Sequence, residues 1–281
     1  MTLESQTPAT TATANRSPVF AARWIGYVAL AVVFAIACVL LSNWQFARRQ
    51  EAVTAISRVE ANFDAAPVAL GDLVLTADSF NPDTEWRQVS LTGHYLPEEA
   101  MLIRNRVNDS EPGFDTAVPF QQPDGTIFIV DRGWLPTSAD GSVPSNIPTP
   151  PSGTIDLVVH LRPSEHTAAA ATGTETTLPT LNVADYAKRL SGSVYIGAYG
   201  ALVTESPSET HGVLLTKPSL DEGNHLSYAL QWIAFALLGF IAVAWIIRRE
   251  LKLARNPRAT IPRRKIDRSA AAEDAEIDAQ L

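Results

Sequence analysis

Thiols are almost missing from this 281-residue chain, whose only cysteine is Cys38. With one sulfur of that kind there can be no CxxC pair, disulfide framework or c-type haem attachment sequence. Thiol redox chemistry and copper delivery by paired thiolates are thereby excluded. Lysine is scarce beside arginine, and Ala, Asp and Arg fill the C-terminal tail, a usage that fits a GC-rich bacterial genome. The motifs of familiar soluble active sites are missing too. Without a GxSxG elbow, an HExxH pair or a glycine-rich phosphate cradle, hydrolase and nucleotide chemistry have no residues to stand on, and no enzyme activity is expected. Asp131, in "VDRGW" after an apolar run, is where a catalytic acid could sit, but a solvated or arginine-paired strand end is the simpler reading. The net charge is −8, and no nucleic-acid partner is expected.

Charge itself is missing from two stretches, Trp24 to Ser42 and Leu226 to Ile247. Each suffices to cross a bilayer as a helix, since about 20 residues at roughly 1.5 Å each cover the roughly 30 Å hydrocarbon core. Trp24, Tyr27 and Trp44 bracket the first stretch, and Tyr228, Trp232 and Trp245 stand toward the ends of the second, as interfacial aromatics do. The first run is longer than the apolar part of a secretory signal and ends in "LLSNWQFARRQ" with no small-x-small cleavage site, so it is read as a retained span. Nine basic residues follow the second span, from Arg248 to Arg268, which places the C-terminus and, with two spans, the N-terminus in the cytoplasm. Residues 44–225 carry 11 basic and 23 acidic residues and are expected outside. The predicted organisation is a disordered cytoplasmic arm (1–22), a span (23–43), an extracytoplasmic domain (44–225), a second span (226–247) and a basic, then acidic cytoplasmic tail (248–281) whose first half suits anionic membrane lipid.

Between the spans the sequence reads as strands. "WRQVSLTGHY", "AMLIRNRV", "TIFIVDRGWLP", "GTIDLVVHLRP" and "VYIGAYGALVTE" are alternating, β-branched or aromatic runs bounded by Gly, Pro and Asp. Ala52, Ile56 and Val59 keep helical spacing beyond the first span, with Pro67 as the stop. Val183, Tyr186 and Leu190, with Asn182 as a cap, predict one short helix. "PTSADGSVPSNIPTPPSG" and "SEHTAAAATGTETTLPT" read as long loops. The predicted fold is a membrane protein in which two transmembrane α-helices flank an extracytoplasmic, mainly antiparallel β domain, open or partly closed into a barrel, with a short helix.

His94, His160, His166 and His211 fall in strands or polar loops and are read as ordinary domain residues. His225 differs because it heads the second apolar run, in "GNHLSYALQW". With Tyr228, Trp232 and Phe235 at i+3, i+7 and i+10 it shares one helix face. Tyr228 and Trp232 alone make an interfacial belt, but an ionisable group near membrane depth is a candidate functional residue, and an imidazole beside flat aromatics suits a haem. Arg48 and Arg49, at the outer end of the first span, are either cations snorkelling to lipid head groups or partners for haem propionates.

"WQFARR", "GHYLPEEAMLIRNR", "GTIFIVDRGWLP" and "NHLSYALQW", in this order and spacing, resemble the Surfeit locus protein 1 family, over residues 24 to about 250. Where that family often has Gly before the Trp–Gln pair and Lys after the arginines, this chain has Ser42 and Ala52. The resemblance implies a multi-pass bacterial cell-membrane protein that assists maturation of haem-copper cytochrome c oxidase, with haem a as transient cofactor and His225 as its metal ligand. Oxidase subunit I and haem a synthase are the partners it suggests. The pocket roles of Tyr228 and Trp232 and the propionate role of Arg48 and Arg49 are inferences from their placement. A scaffold that stabilises an assembly intermediate without touching haem is the alternative.

Overall fold

The computed structural model describes residues 18–74, 76–167 and 173–255. Of the arm expected to be disordered over 1–22, residues 18–22 belong to the first helix, and the remainder, like the tail from Asn256 on, lies outside the described residues. The first element, helix α1 (Pro18–Asn62), joins the apolar run to the Ala52, Ile56, Val59 period without a break. It ends five residues ahead of Pro67, where Asn62 donates its side-chain amide to the carbonyls of Asp83 and Glu85 at 2.8 and 2.9 Å. Among the described residues, eight strands and two short α-helices follow before the closing helix (His225–Arg255). Both long helices are apolar enough to cross a membrane, and side chains such as Leu30, Val33, Leu40, Leu237 and Ile241 are left exposed on their surfaces.

Tertiary contacts divide the chain into two compact units, residues up to 49 with those from 223 onward, and residues 50–222. The first is a helix pair. Shielded positions step along α1 through Ala31, Ala35, Cys38, Ser42, Gln45 and Arg49, and along the closing helix through His225, Ala229, Trp232, Ala236, Gly239 and Val243. These alternating steps of three and four are the spacing at which two helices pack along a seam. Small side chains let the backbones approach, and the Ser42 hydroxyl donates to the Ala229 carbonyl at 3.1 Å, with both residues buried. At the other end Glu250 pairs with Arg23 at 3.0 Å and accepts from the Trp24 indole at 2.7 Å.

The second unit is a β domain with strands β1 (Val68–Ala69), β2 (Gln88–Tyr95), β3 (Met101–Asn108), β4 (Glu111–Gln121), β5 (Ile127–Pro136), β6 (Ile155–Pro163), β7 (Thr177–Leu178) and β8 (Ala198–Ser206). Helices α2 (Leu70–Leu73) and α3 (Val183–Ala187) lie among them, and His225–Arg255 becomes α4. All five expected strands are present, although "VYIGAYGALVTE" turns regular only from Ala198, and β7 sits inside a segment expected to be loop. Residues 168–172 of that loop lie outside the described residues. The sheet order is β1-β2-β6-β8-β5-β4-β3-β7, and an extra β2–β4 pairing bends it back on itself. Only His94↔Gln121 and Tyr95↔Phe120 make that closure, so the ring is partly closed and not a true barrel. At the closure a Cβ on Gly93 would collide with the Gln121 carbonyl, and glycine is what the approach requires.

The sheet is mixed. Its β2–β6, β6–β8, β4–β5, β3–β4 and β2–β4 pairings are antiparallel, whereas β1–β2, β3–β7 and β5–β8 are parallel. Strand β4 was not foreseen, because Pro112 and Pro119 argue against a central strand. The Pro119 carbonyl accepts from Leu96 N at 2.9 Å. A residue's N–H and C=O leave a strand on the same side, so the missing N–H faces the gap where β3 has ended and β2 takes over. Strand β5 is buried on both faces, which explains its unbroken apolar run. Phe128 and Val130 join one core cluster with Leu91, Leu157 and Leu161, and Ile127 and Ile129 join a second with Ile103, Val183 and Tyr186 of α3. Asn182 caps α3 as expected, accepting from Asp185 N at 2.8 Å.

Candidate functional site

Helix α4 starts at His225 because "DEGN" before it turns the chain through Gly223 at φ 69° and the Asn224 carbonyl takes the first helical bond, from Tyr228 N at 3.1 Å. The half-buried imidazole thus stands at the head of the apolar helix, on the seam facing α1. Its Nδ1 lies 2.9 Å from Oε1 of Gln45, a residue 180 positions earlier in the chain. One helical turn further into the pair, the Ser42–Ala229 hydrogen bond fixes the two backbones against each other. Ser42 on this seam is small enough for the approach and able to bond across it.

The other singled-out residues divide. Trp232 lies two turns deeper on the same seam, partly shielded, with the Phe235 ring edge-on at 5.7 Å. Tyr228 is 50% exposed and faces away from the seam, so the structure separates it from His225 and Trp232 although sequence spacing put all three on one face. Arg49 is partly shielded and Arg48 exposed, three and four residues beyond Gln45 on α1. The residue that sequence reasoning missed is Gln45. Its only signal was its place in "WQFARR", because nothing local says which side chain His225 meets.

An imidazole with one nitrogen occupied by a hydrogen bond and the other available is the usual arrangement of a metal-ligating histidine. Arg48 and Arg49 stand about 5–6 Å further along the helix at 1.5 Å per residue, within reach of a propionate. The donor set therefore fits a haem at the mouth of the pair. Cys38 supplies no rival ligand, being 1% exposed within the seam. Among the described residues no cluster of three or more His, Cys, Asp or Glu is placed to hold a bare metal ion.

The β domain holds two polar clusters of its own. Asp131 accepts from Gly133 N at 2.9 Å and shares a small cleft with Asp115, while Arg106 reaches Asp115 at 2.7 Å and Glu165 at 2.8 Å. Burial, then the neighbouring Asp115, pushes the Asp131 carboxyl up to about 7. Burial also pushes Asp115 up to about 6, against the opposing pull of Arg106. Gly133, at φ 105°, lets the 212–213 backbone pass directly over β5. Asp131, expected at a solvated or arginine-paired strand end, instead stands inside β5, and the buried ion pair forms at the next residue. Arg132 is fully buried, its Nη2 is 2.6 Å from Glu205, and Glu205 also accepts from the Tyr95 hydroxyl at 2.8 Å. His160 is stacked on Phe63 at 4.0 Å with Nδ1 2.8 Å from the Trp86 carbonyl. A further cleft of about 420 Å³ lies between β3, β4 and the Pro-rich loop, lined by Met101, Leu102, Thr116, Val118, Ile147 and Pro148. It can take an apolar group.

Comparison with known proteins extends the resemblance. The sequence model of the SURF1 family matches residues 32–237, which include both helix contacts and the whole β domain. A SURF1-like protein of Mycobacterium bovis is 31% identical over 245 residues, covering 85% of this chain and 89% of that one. The same figures hold for a SURF1-like protein of Mycobacterium tuberculosis. The cytochrome oxidase assembly protein SHY1 of Saccharomyces cerevisiae is 30% identical over 115 residues, covering 38% of this chain and 28% of its own.

Proposed function

Because the chain belongs to the SURF1 family, we propose that it acts in the assembly of cytochrome oxidase, as the name of its yeast relative indicates for that protein. More finely, it holds haem a as cargo at the head of α4 and passes it to oxidase subunit I, with haem a synthase as the source. The observation that carries this reading is the placement of His225, an imidazole at the mouth of an apolar helix pair with Nδ1 engaged. In this role His225 ligates the iron and Arg48 and Arg49 meet the propionates. The Ser42–Ala229 contact closes the space between the helices below His225, so the cargo rests at the outer mouth. The protein works as a carrier and not as an enzyme.

The nine basic residues after the second span support a bacterial plasma membrane location with both termini in the cytoplasm and the β domain outside. Absorption spectra of the detergent-purified protein, co-produced with the enzymes of haem a synthesis, test the reading for wild type and His225→Ala together. A haem a spectrum in the wild type that vanishes in the variant is expected. A haem-free wild type, with oxidase assembly restored equally by His225→Ala in a deletion strain, would leave the scaffold as the function. Equal haem in both proteins would move the ligand elsewhere.

A further inference from the structure

We propose that Gln45 is the positioning residue of this site: its side-chain oxygen accepts the Nδ1–H of His225, fixing the ring so that Nε2 alone can ligate a haem iron. The inference rests on the haem reading for its role, but its structural half holds without haem. Neutral imidazole has one N–H and one lone pair, and the partner of the first decides where the second points. Here the partner is an amide oxygen at 2.9 Å. With Nδ1–H donated to it, the lone pair lies on Nε2, on the edge of the ring beside Gly223, where a Cβ would come within 3.8 Å of it.

Gln45 can do this because α1 and α4 are held in register next to it. Gln45 and Ser42 are successive seam positions on α1, as His225 and Ala229 are on α4, so the Ser42–Ala229 bond sets the spacing across which the amide reaches the imidazole. A ligand that must later be given up gains from a neutral partner. A carboxylate in this place would draw the Nδ1 proton harder, make Nε2 a stronger donor and favour ferric iron, whereas an amide polarises the ring only modestly. The pair also makes the ligand depend on α1, because any separation of the helices frees the ring to turn.

Two measurements on the full-length chain test this. In the haem-free protein with ¹⁵N-labelled histidine, the His225 ring nitrogens are expected to show a proton on Nδ1 in the wild type and a mixture of tautomers in Gln45→Leu. A wild type protonated on Nε2 overturns the proposal, whatever the protein binds. Titration with haem a is expected to show affinity lower by about 10–100-fold in Gln45→Leu, the usual loss when such an orienting partner is removed. Gln45→Glu should retain binding and lower the midpoint potential of the bound haem below the wild-type value. Variants equal to wild type in affinity and potential, with binding still lost in His225→Ala, overturn the role of Gln45 and leave the haem site standing. If the wild type takes up no haem, the haem reading and the role of Gln45 in it both fall, and the tautomer result then describes helix packing only.

Discussion

Asp131 and Asp115 share one cleft with Arg106, and burial makes both hold their protons above the usual carboxylate range. In the unfolded chain they titrate near 4. The folded state therefore binds more protons between about pH 4 and 7, so its stability is greatest at the acid end of that window and falls as pH rises through about 7. His160 works in the opposite sense, since burial lowers its affinity for a proton and the folded state is favoured as the ring discharges. Asp131→Asn isolates the carboxyl contribution. Urea-unfolding midpoints of the solubilised protein, followed by tryptophan fluorescence, should show the variant gaining on wild type between pH 5 and pH 7.5. A difference that does not change with pH would mean that Asp131 is ionised in the folded domain. Asp131 was singled out in the sequence, but its partner was not, because Asp115 lies on the strand that its prolines disguised.

Among the elements, β5 is buried on both faces, and Arg132 near its centre ties it to β8 and to two loops. The guanidinium bonds Glu205 on β8 through Nε and Nη2, the Pro148 carbonyl of the Pro-rich loop at 3.3 Å and the Thr210 carbonyl at 3.3 Å. Glu205 returns contacts to Tyr95 on β2 and to Glu209 N. Both charges are 1% exposed, so removing one leaves the other unpaired in a medium that solvates it poorly. Arg132→Met is expected to cost about 3–5 kcal/mol, and Arg132→Met with Glu205→Met markedly less than twice that. Chemical denaturation of the three proteins checks it, and simple additivity would show that the two side chains do not act as a pair. In the sequence, "VDRGW" marked this place, and the apolar run before it marked the strand. The identity of the acid was hidden because Glu205 lies 73 residues away.

For the whole molecule, the unequal charge of the two sides decides the orientation proposed. The proposed orientation keeps the basic tail in the cytoplasm and the acid-rich domain outside. In a Cys38→Ala background a cysteine introduced at the exposed loop position Asp140 should react with a membrane-impermeant maleimide in intact cells. Labelling only after lysis would invert the topology and place the β domain, and the mouth of the helix pair with it, in the cytoplasm.

The sequence by itself determined what is written locally: the charge-free runs, the alternation of five strands, the Asn182 cap and His225 at the head of an apolar helix. Each is a matter of hydrophobic period or of neighbours within one turn, which a single chain displays directly. Tertiary structure alone decided which distant groups meet. Ring closure needed the two-residue match of β2 with β4, β4 itself needed a gap in which Pro119 could spend no hydrogen bond, and Tyr228 parted from Trp232 because the seam steps by three and four. Gln45 came to His225 for the same reason. Side-chain partners across 180 residues are selected by packing of small residues along two helices, a property of surfaces that no local period encodes.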